Sequence, residues 1–247
     1  VLLGAFTWGP WRRSRGAAAA GLEELIVVTA GTVVLSGERM ATLLTLLGLL
    51  LAAVLKRGPA RKLILTGFAR LVAGGTVLAL STHWFMDRYV DQTAKIAARV
   101  WDSPYGQIWH SALHIASVRP VIGVGPKNFR VACDLPGYAL PVPFDQRCET
   151  HPHNLYLEWL VEYGAIGLAL FLALIAAWAA RMAPPMRRGM ASPWLYGPAI
   201  AVFLALWPLG PSGSFFSNWY GGVFYLALGW ALAAVRLSDD TPAAATA

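Results

Sequence analysis

The sequence predicts an all-α protein, a polytopic bundle of transmembrane helices with one large loop on its outer side. Three observations carry this. Apolar residues make up 57% of the 247-residue chain, charged residues 13%, and the mean hydropathy is +0.52, whereas a soluble domain carries about a quarter charged residues. Runs of the length needed to cross a bilayer as helix, about twenty apolar residues, recur along the chain. Basic residues gather in alternate connections. Helix is the expected form throughout, because backbone facing lipid must satisfy its own hydrogen bonds.

Six runs are expected to be helical spans: 17–36, 40–55, 63–82, 155–180, 194–209 and 218–235. The first carries Glu23 and Glu24 near its start, and the second, MATLLTLLGLLLAAVL, has no polar residue beyond threonine. Together they read as a single membrane domain over 1–247, without internal repeats or a soluble-domain linker. The chain opens on Val1, and VLLGAFTWGP resembles the end of an earlier span, so further helices are expected upstream. A signal-peptide pattern is lacking.

Orientation follows from the connections. Arg12, Arg13 and Arg15, then Lys56, Arg57, Arg61 and Lys62, then Arg181, Arg187 and Arg188 mark one side. The positive-inside rule places that side in the cytoplasm. The opposite connections, SGER at 36–39, the long stretch 83–152 and PSGSFFSN at 211–218, then face outward. The net charge of +7 is on this view a topological signal. Nucleic acid is not an expected partner, since such a footprint clusters basic residues on one folded face.

Both cysteines, Cys133 and Cys148, fall in the long outer loop, where an oxidising compartment would let them close ACDLPGYALPVPFDQRC. Free thiols remain the alternative, because sequence does not show whether the geometry fits. All five histidines lie on the outer side or at its edge. His110 and His114 share a helix face, but Ser111 stands where a zinc protease motif needs glutamate. The expected reading there is an amphipathic helix over 102–118, lying at the membrane interface, with no metal.

PVIGVGPKNFR, 120–130, opens like a dinucleotide loop. Asn128 replaces the third glycine, and no strand–helix unit surrounds it. What remains is a tight turn ending in Lys127, Asn128 and Arg130. Those groups suit a phosphate through charge-assisted hydrogen bonds, or else are a solvated turn.

HPHNLYLEWLVEYGAIG, 151–167, is an unusual entry to an apolar helix. With Pro152 at the first helical position, Thr150 or His151 is the expected cap. The positive end of the helix dipole disfavours a charged imidazole, so His153 is expected neutral and able to accept a proton. Asn154, Glu158 and Glu162 share a face, and acids there should point into the bundle or a polar cavity. Gly164 and Gly167 would admit a neighbouring helix. A neutral base, phosphate-binding arginines and a membrane setting together suggest transfer from a lipid-linked phosphate.

His153, Asn154, Gly164 and Gly167, spaced as HN, nine residues, G, two residues, G, resemble the signature of the O-antigen ligase and polymerase superfamily. PVIGVGPKNF resembles the block that precedes it, and SGERMATLL resembles the (S/G)-x-R block of an earlier helix. The likeness runs in order over about residues 30–180. It implies a GT-C-type glycosyltransferase of the bacterial inner membrane. Such an enzyme moves a glycan from undecaprenyl diphosphate to a saccharide acceptor, such as lipid A core, at the periplasmic face, with no cofactor or metal. Carried over by position, His153 corresponds to the catalytic histidine and Arg39 to a diphosphate-binding arginine. Relatives often have an arginine where this chain has Tyr105; Arg130 is expected to supply that charge, with Arg119 as second candidate. Lys127, Asn154, Glu158 and Glu162 are candidate substrate-binding residues, though each glutamate fits a helix-packing hydrogen bond equally well. A polymerase joining repeat units shares these motifs. Two other classes are a histidine-metal hydrolase and a non-catalytic transporter or scaffold; the repeated halves usual in transporters are not visible here.

Overall fold

The computed structural model describes residues 17–55, 58–187 and 193–239, and the regular structure among these is helical. Arg12, Arg13, Arg15, Lys56, Arg57 and Arg188, used above for orientation, lie outside the described residues. The helices are α1 (Ala17–Leu35), α2 (Arg39–Leu55), α3 (Pro59–Ser81), α4 (His83–Met86), α5 (Gln92–Ala98), α6 (Pro104–Val118), α7 (Phe129–Ala132), α8 (Phe144–Arg147), α9 (Leu155–Arg187), α10 (Pro193–Ala205) and α11 (Asn218–Asp239). Among the described residues, three stretches are long and apolar enough to cross a membrane: Pro59–Ser81, Leu155–Met186 and Asn218–Leu237. The expected spans 40–55 and 194–209 form apolar helices of 17 and 13 residues. The second stops at Ala205 rather than 209, just ahead of Pro208, whose ring disfavours helical backbone in the residue before it.

The chain divides into two compact units. Among the described residues, the first comprises those within 17–93, 181–205 and 224–239. In it α1, α2 and α3 pack against one another, and α10 packs on α2. α1 ends where Gly37 takes φ 76°, the left-handed conformation usual just past a helix, and its amide bonds back to Val34. Any side chain at Gly37 would press on the Trp84 ring. Pro59 opens α3, where an amide hydrogen would go unused anyway. The stretch 83–98 folds as two short helices joined by one wide π turn, Asp87–Asp91. That turn holds the α1–α2 corner. The Tyr89 hydroxyl donates to the Val34 carbonyl, and Arg88 Nε donates to the Gly37 carbonyl at 2.9 Å.

The second unit comprises Ala94–Ala180 and Leu206–Val223. Ser103 caps α6, its hydroxyl accepting from the Gly106 amide. The apolar face of α6, the amphipathic helix expected from sequence, packs against protein. Ile108, Ala112 and Ile115 are buried in a protein core with Phe129, Ala132, Val161 and the two cysteines. Cys133 and Cys148 are joined by a disulfide, with Cα atoms 5.4 Å apart. Arg147 braces the same loop, donating to the Cys133 and Val142 carbonyls and pairing with Asp134.

A candidate active site at a broken helix

α9 is two helices in line. At Gly164 the backbone takes φ 67° and ψ −169°, outside any helix. The break is filled by the PVIGVG segment. Its Val124 and Gly125 amides donate to the Val161 and Glu162 carbonyls at 3.0 and 2.8 Å, and its Pro120 and Val121 carbonyls accept from Ala165 and Ile166 at 2.8 and 3.2 Å. The four groups freed by the break thus find partners in one loop, as buried backbone must. Two glycines allow this approach. A Cβ on Gly164 would overlap the Val121 carbonyl, and one on Gly123 would overlap the Glu162 backbone. Gly164 therefore admits a loop rather than the helix expected from sequence. Gly167 lies under the Tyr163 and Trp159 rings.

The histidines sit just ahead of α9. The helix begins at Leu155, and Asn154 is its cap, with Oδ1 accepting from the Tyr156 and Leu157 amides at 3.1 Å each. Neither Thr150 nor His151 caps, because the chain turns left-handed at His153 (φ 53°), which postpones the helix. Pro152 is a buried corner of that turn. His151 and His153 lie ring against ring, centroids 4.2 Å apart, and the Tyr105 ring stands edge-on to His153 at 5.7 Å. Burial lowers the pKa of His153 below its ordinary value, and the neighbouring His151 lowers it further; Glu149 and the Ser212 carbonyl oppose this without reversing it. Burial likewise lowers His151, against the Ser212 carbonyl and Glu149. Both rings are held towards the neutral form.

A second segment, 206–217, straps this corner down. The Ser212 amide donates to the His153 carbonyl at 2.8 Å, and His151 Nε2 lies 3.2 Å from the Ser212 carbonyl. Asn154 Nδ2 donates to the Pro208 carbonyl at 3.2 Å, and the Tyr156 hydroxyl to the Leu206 carbonyl at 2.7 Å. Glu158, 1% exposed, accepts from the Ser214 hydroxyl and from the Phe215 amide at 2.7 Å. Glu162, equally buried, accepts from the Lys127 amide at 2.7 Å. Each carboxylate thus ties a loop to the helix.

The basic residues divide. Lys127 holds φ 57° immediately after the seam, and its side chain is exposed. Arg130, on α7, is exposed with no partner among the described residues. Arg119 is engaged, donating from Nε to the Tyr138 hydroxyl at 2.8 Å, which raises its pKa further. Arg39 belongs to the first unit. There it lines a cavity of about 350 Å³ walled by Leu43, Leu46, Leu71 and Phe85, with Thr42 and Tyr89 among its few polar neighbours. Arg39 Nη1 is buried in this structure without a hydrogen-bond partner.

The sequence places 211–218 in an outer connection and gives none of its residues a role in the site. Ser212 and Phe215 act through backbone groups and Ser214 through its hydroxyl, and the only signal was a short outer connection rich in small residues.

A model of the O-antigen ligase family matches residues 25–172, more than half of the chain. No curated protein and no solved structure matches it. The matched region contains α2 with Arg39, the PVIGVG seam, the disulfide loop and the histidine corner. The chain belongs to the O-antigen ligase family, a group of glycosyltransferase-type membrane enzymes.

Proposed function

We propose that this chain is the catalytic part of an O-antigen ligase-type enzyme of the bacterial inner membrane. It moves a glycan from undecaprenyl diphosphate to a saccharide acceptor, such as lipid A core, on the periplasmic side. The observation that carries the reading is His153: a buried imidazole, biased neutral, held at a fixed corner directly ahead of a capped helix. A neutral imidazole removes the proton from the acceptor hydroxyl as that oxygen attacks the anomeric carbon, the step that general-base catalysis serves. The bond to the diphosphate breaks in the same step, and the leaving group carries the developing negative charge. Arg130 is free to meet it, with Lys127 nearby in sequence, and cations so placed act mainly on the transition state. Arg119, already committed to Tyr138, is the weaker candidate.

Arg39 suits the donor in another way. A guanidinium nitrogen without a partner beside an apolar cavity matches a ligand that is anionic at one end and hydrocarbon at the other. Glu158 and Glu162 serve as braces that hold the two loops to the helix, and Asn154 as the cap.

The test is transfer of a lipid-linked saccharide by full-length protein in detergent. Arg39→Ala should raise the donor KM and Arg130→Ala should lower kcat; wild-type kcat and KM in both variants would remove the diphosphate assignment. In cells lacking the gene, unlinked lipid-borne polymer supports a ligase; single repeat units would make the enzyme a polymerase.

A further inference from the structure

Building on His153 as the base, we propose that His151 is its positioning residue: the His151 side chain and the Ser212 peptide form a two-point clip that fixes the backbone turn and the ring plane of His153. His153 holds φ 53°, a conformation uncommon for a residue with a side chain and favoured here by its surroundings. The surroundings here are few and identifiable. The Ser212 amide donates to the His153 carbonyl at 2.8 Å, and His151 Nε2 donates to the Ser212 carbonyl at 3.2 Å. Both halves of the clip therefore close on a single residue of the strap. Between the two histidines lies Pro152, less than 2% exposed, whose ring removes one backbone freedom from the turn.

The tautomer of His151 is determined by its neighbours. A carbonyl at Nε2 requires a hydrogen there, which leaves Nδ1 of the neutral ring to accept from the Thr150 hydroxyl at 3.1 Å. Both nitrogens are thereby occupied. His151 has neither a lone pair nor a proton to spare for substrate, which separates its role from that of His153. Its ring then lies 4.2 Å from the His153 ring at a 48° tilt, while Tyr105 bounds His153 at 76°. The base is confined between two rings, and one of them is anchored at both nitrogens.

The experiment measures kcat and donor KM for transfer of a lipid-linked saccharide by the full-length enzyme, comparing His151→Leu, His151→Gln and His153→Ala. Leucine approximates the volume and removes the donor, so kcat should fall about ten- to a hundredfold while KM stays within about twofold, as expected for misplacement of a reacting group. Glutamine returns an N–H near the place of Nε2 and should recover kcat to within about threefold of wild type. Wild-type kcat in His151→Leu would overturn the inference, as would a raised KM at full kcat or a glutamine variant no better than leucine. Should the leucine variant fail to accumulate, Thr150→Val frees Nδ1 at an exposed site and should lower kcat about two- to fivefold; an unchanged kcat there counts against the clip. The His153→Ala arm keeps the two ideas apart. Full activity in that variant removes the base assignment, whereas an inactive His153→Ala beside a fully active His151→Leu removes only the clip.

Discussion

Two segments lie against the first half of α9, and they are held in opposite ways. The 120–129 segment enters the break at Gly164 and is bonded through backbone on both sides, four hydrogen bonds between main-chain groups. The 206–217 segment runs past the histidine corner and is held mostly by side chains of α9 and its cap: His151, Asn154, Tyr156 and Glu158. The first contact depends on glycines, above all Gly123 and Gly164, whose missing side chains let main chain meet main chain. The second depends on polar side chains of α9 and on the Ser214 hydroxyl that meets Glu158. On the proposed function, the seam makes the fold and the strap aims the site. Failures of the two should therefore look different.

The largest expected effect is on the seam. Gly164→Ala places a Cβ on the Val121 carbonyl at a residue already in left-handed backbone. Left-handed strain alone costs on the order of 1–3 kcal/mol, and the overlap adds to it. We expect a large drop in Tm or loss of the protein from the membrane, measured by thermal unfolding in detergent. Retention of the wild-type Tm would mean that the break at Gly164 is not needed.

Next comes the disulfide, which ties α7 to the loop behind the seam in the same core as Val161. Opening a loop of fifteen residues is expected to cost about 3 kcal/mol on the chain-entropy account. Cys133→Ser with Cys148→Ser should lower Tm accordingly, and mass mapping of non-reduced protein should find the pair bonded in the wild type. Two free thiols would refute the link.

The smallest effect on stability should come from the strap, with the larger effect on rate. Asn154→Ala removes a helix cap and the bond to Pro208, and a cap is worth about 1 kcal/mol. Glu158→Gln keeps the size of the group but replaces one acceptor oxygen by a donor. For both we expect a modest Tm change and a clear fall in kcat. A fall in Tm as large as that of the Gly164 variant, with specific activity intact, would erase the distinction between seam and strap.

These contrasts also explain what could be read from the amino acids. The apolar runs and the paired glycines of PVIGVG and YGAIG are properties of side chains, or of their absence, and are visible in a string of letters. Gly164 drew attention for that reason, although an apolar neighbourhood made it look like a helix contact. What fills the break is main chain, and main-chain bonds leave no mark on residue identity. The strap was missed on the same ground, since its Leu206, Pro208 and Ser212 carbonyls belong to any residue. The cap was misplaced because Pro152 mimics a first helical position, while the left-handed turn at His153 that delays the helix is dictated by Ser212, about sixty residues away. Stretch 83–98 is not legible as helix because its helices are short, and its shape comes from bonds to the α1–α2 corner.

The central claim is that His153 is a neutral general base. Its most direct test is the pH dependence of kcat/KM for transfer of the lipid-linked saccharide, with wild type and His153→Ala compared at equal protein level. Burial and His151 push the His153 pKa below the ordinary 6.5, and the neutral form is the active one. Activity should therefore persist as pH falls through 6.5 and decline only below it. His153→Ala should lose about 10²–10⁴ in rate at neutral pH, as removal of a general base does, and should lose the acid limb with it. Near wild-type transfer by His153→Ala, or an activity that rises as histidine becomes protonated, would contradict the account.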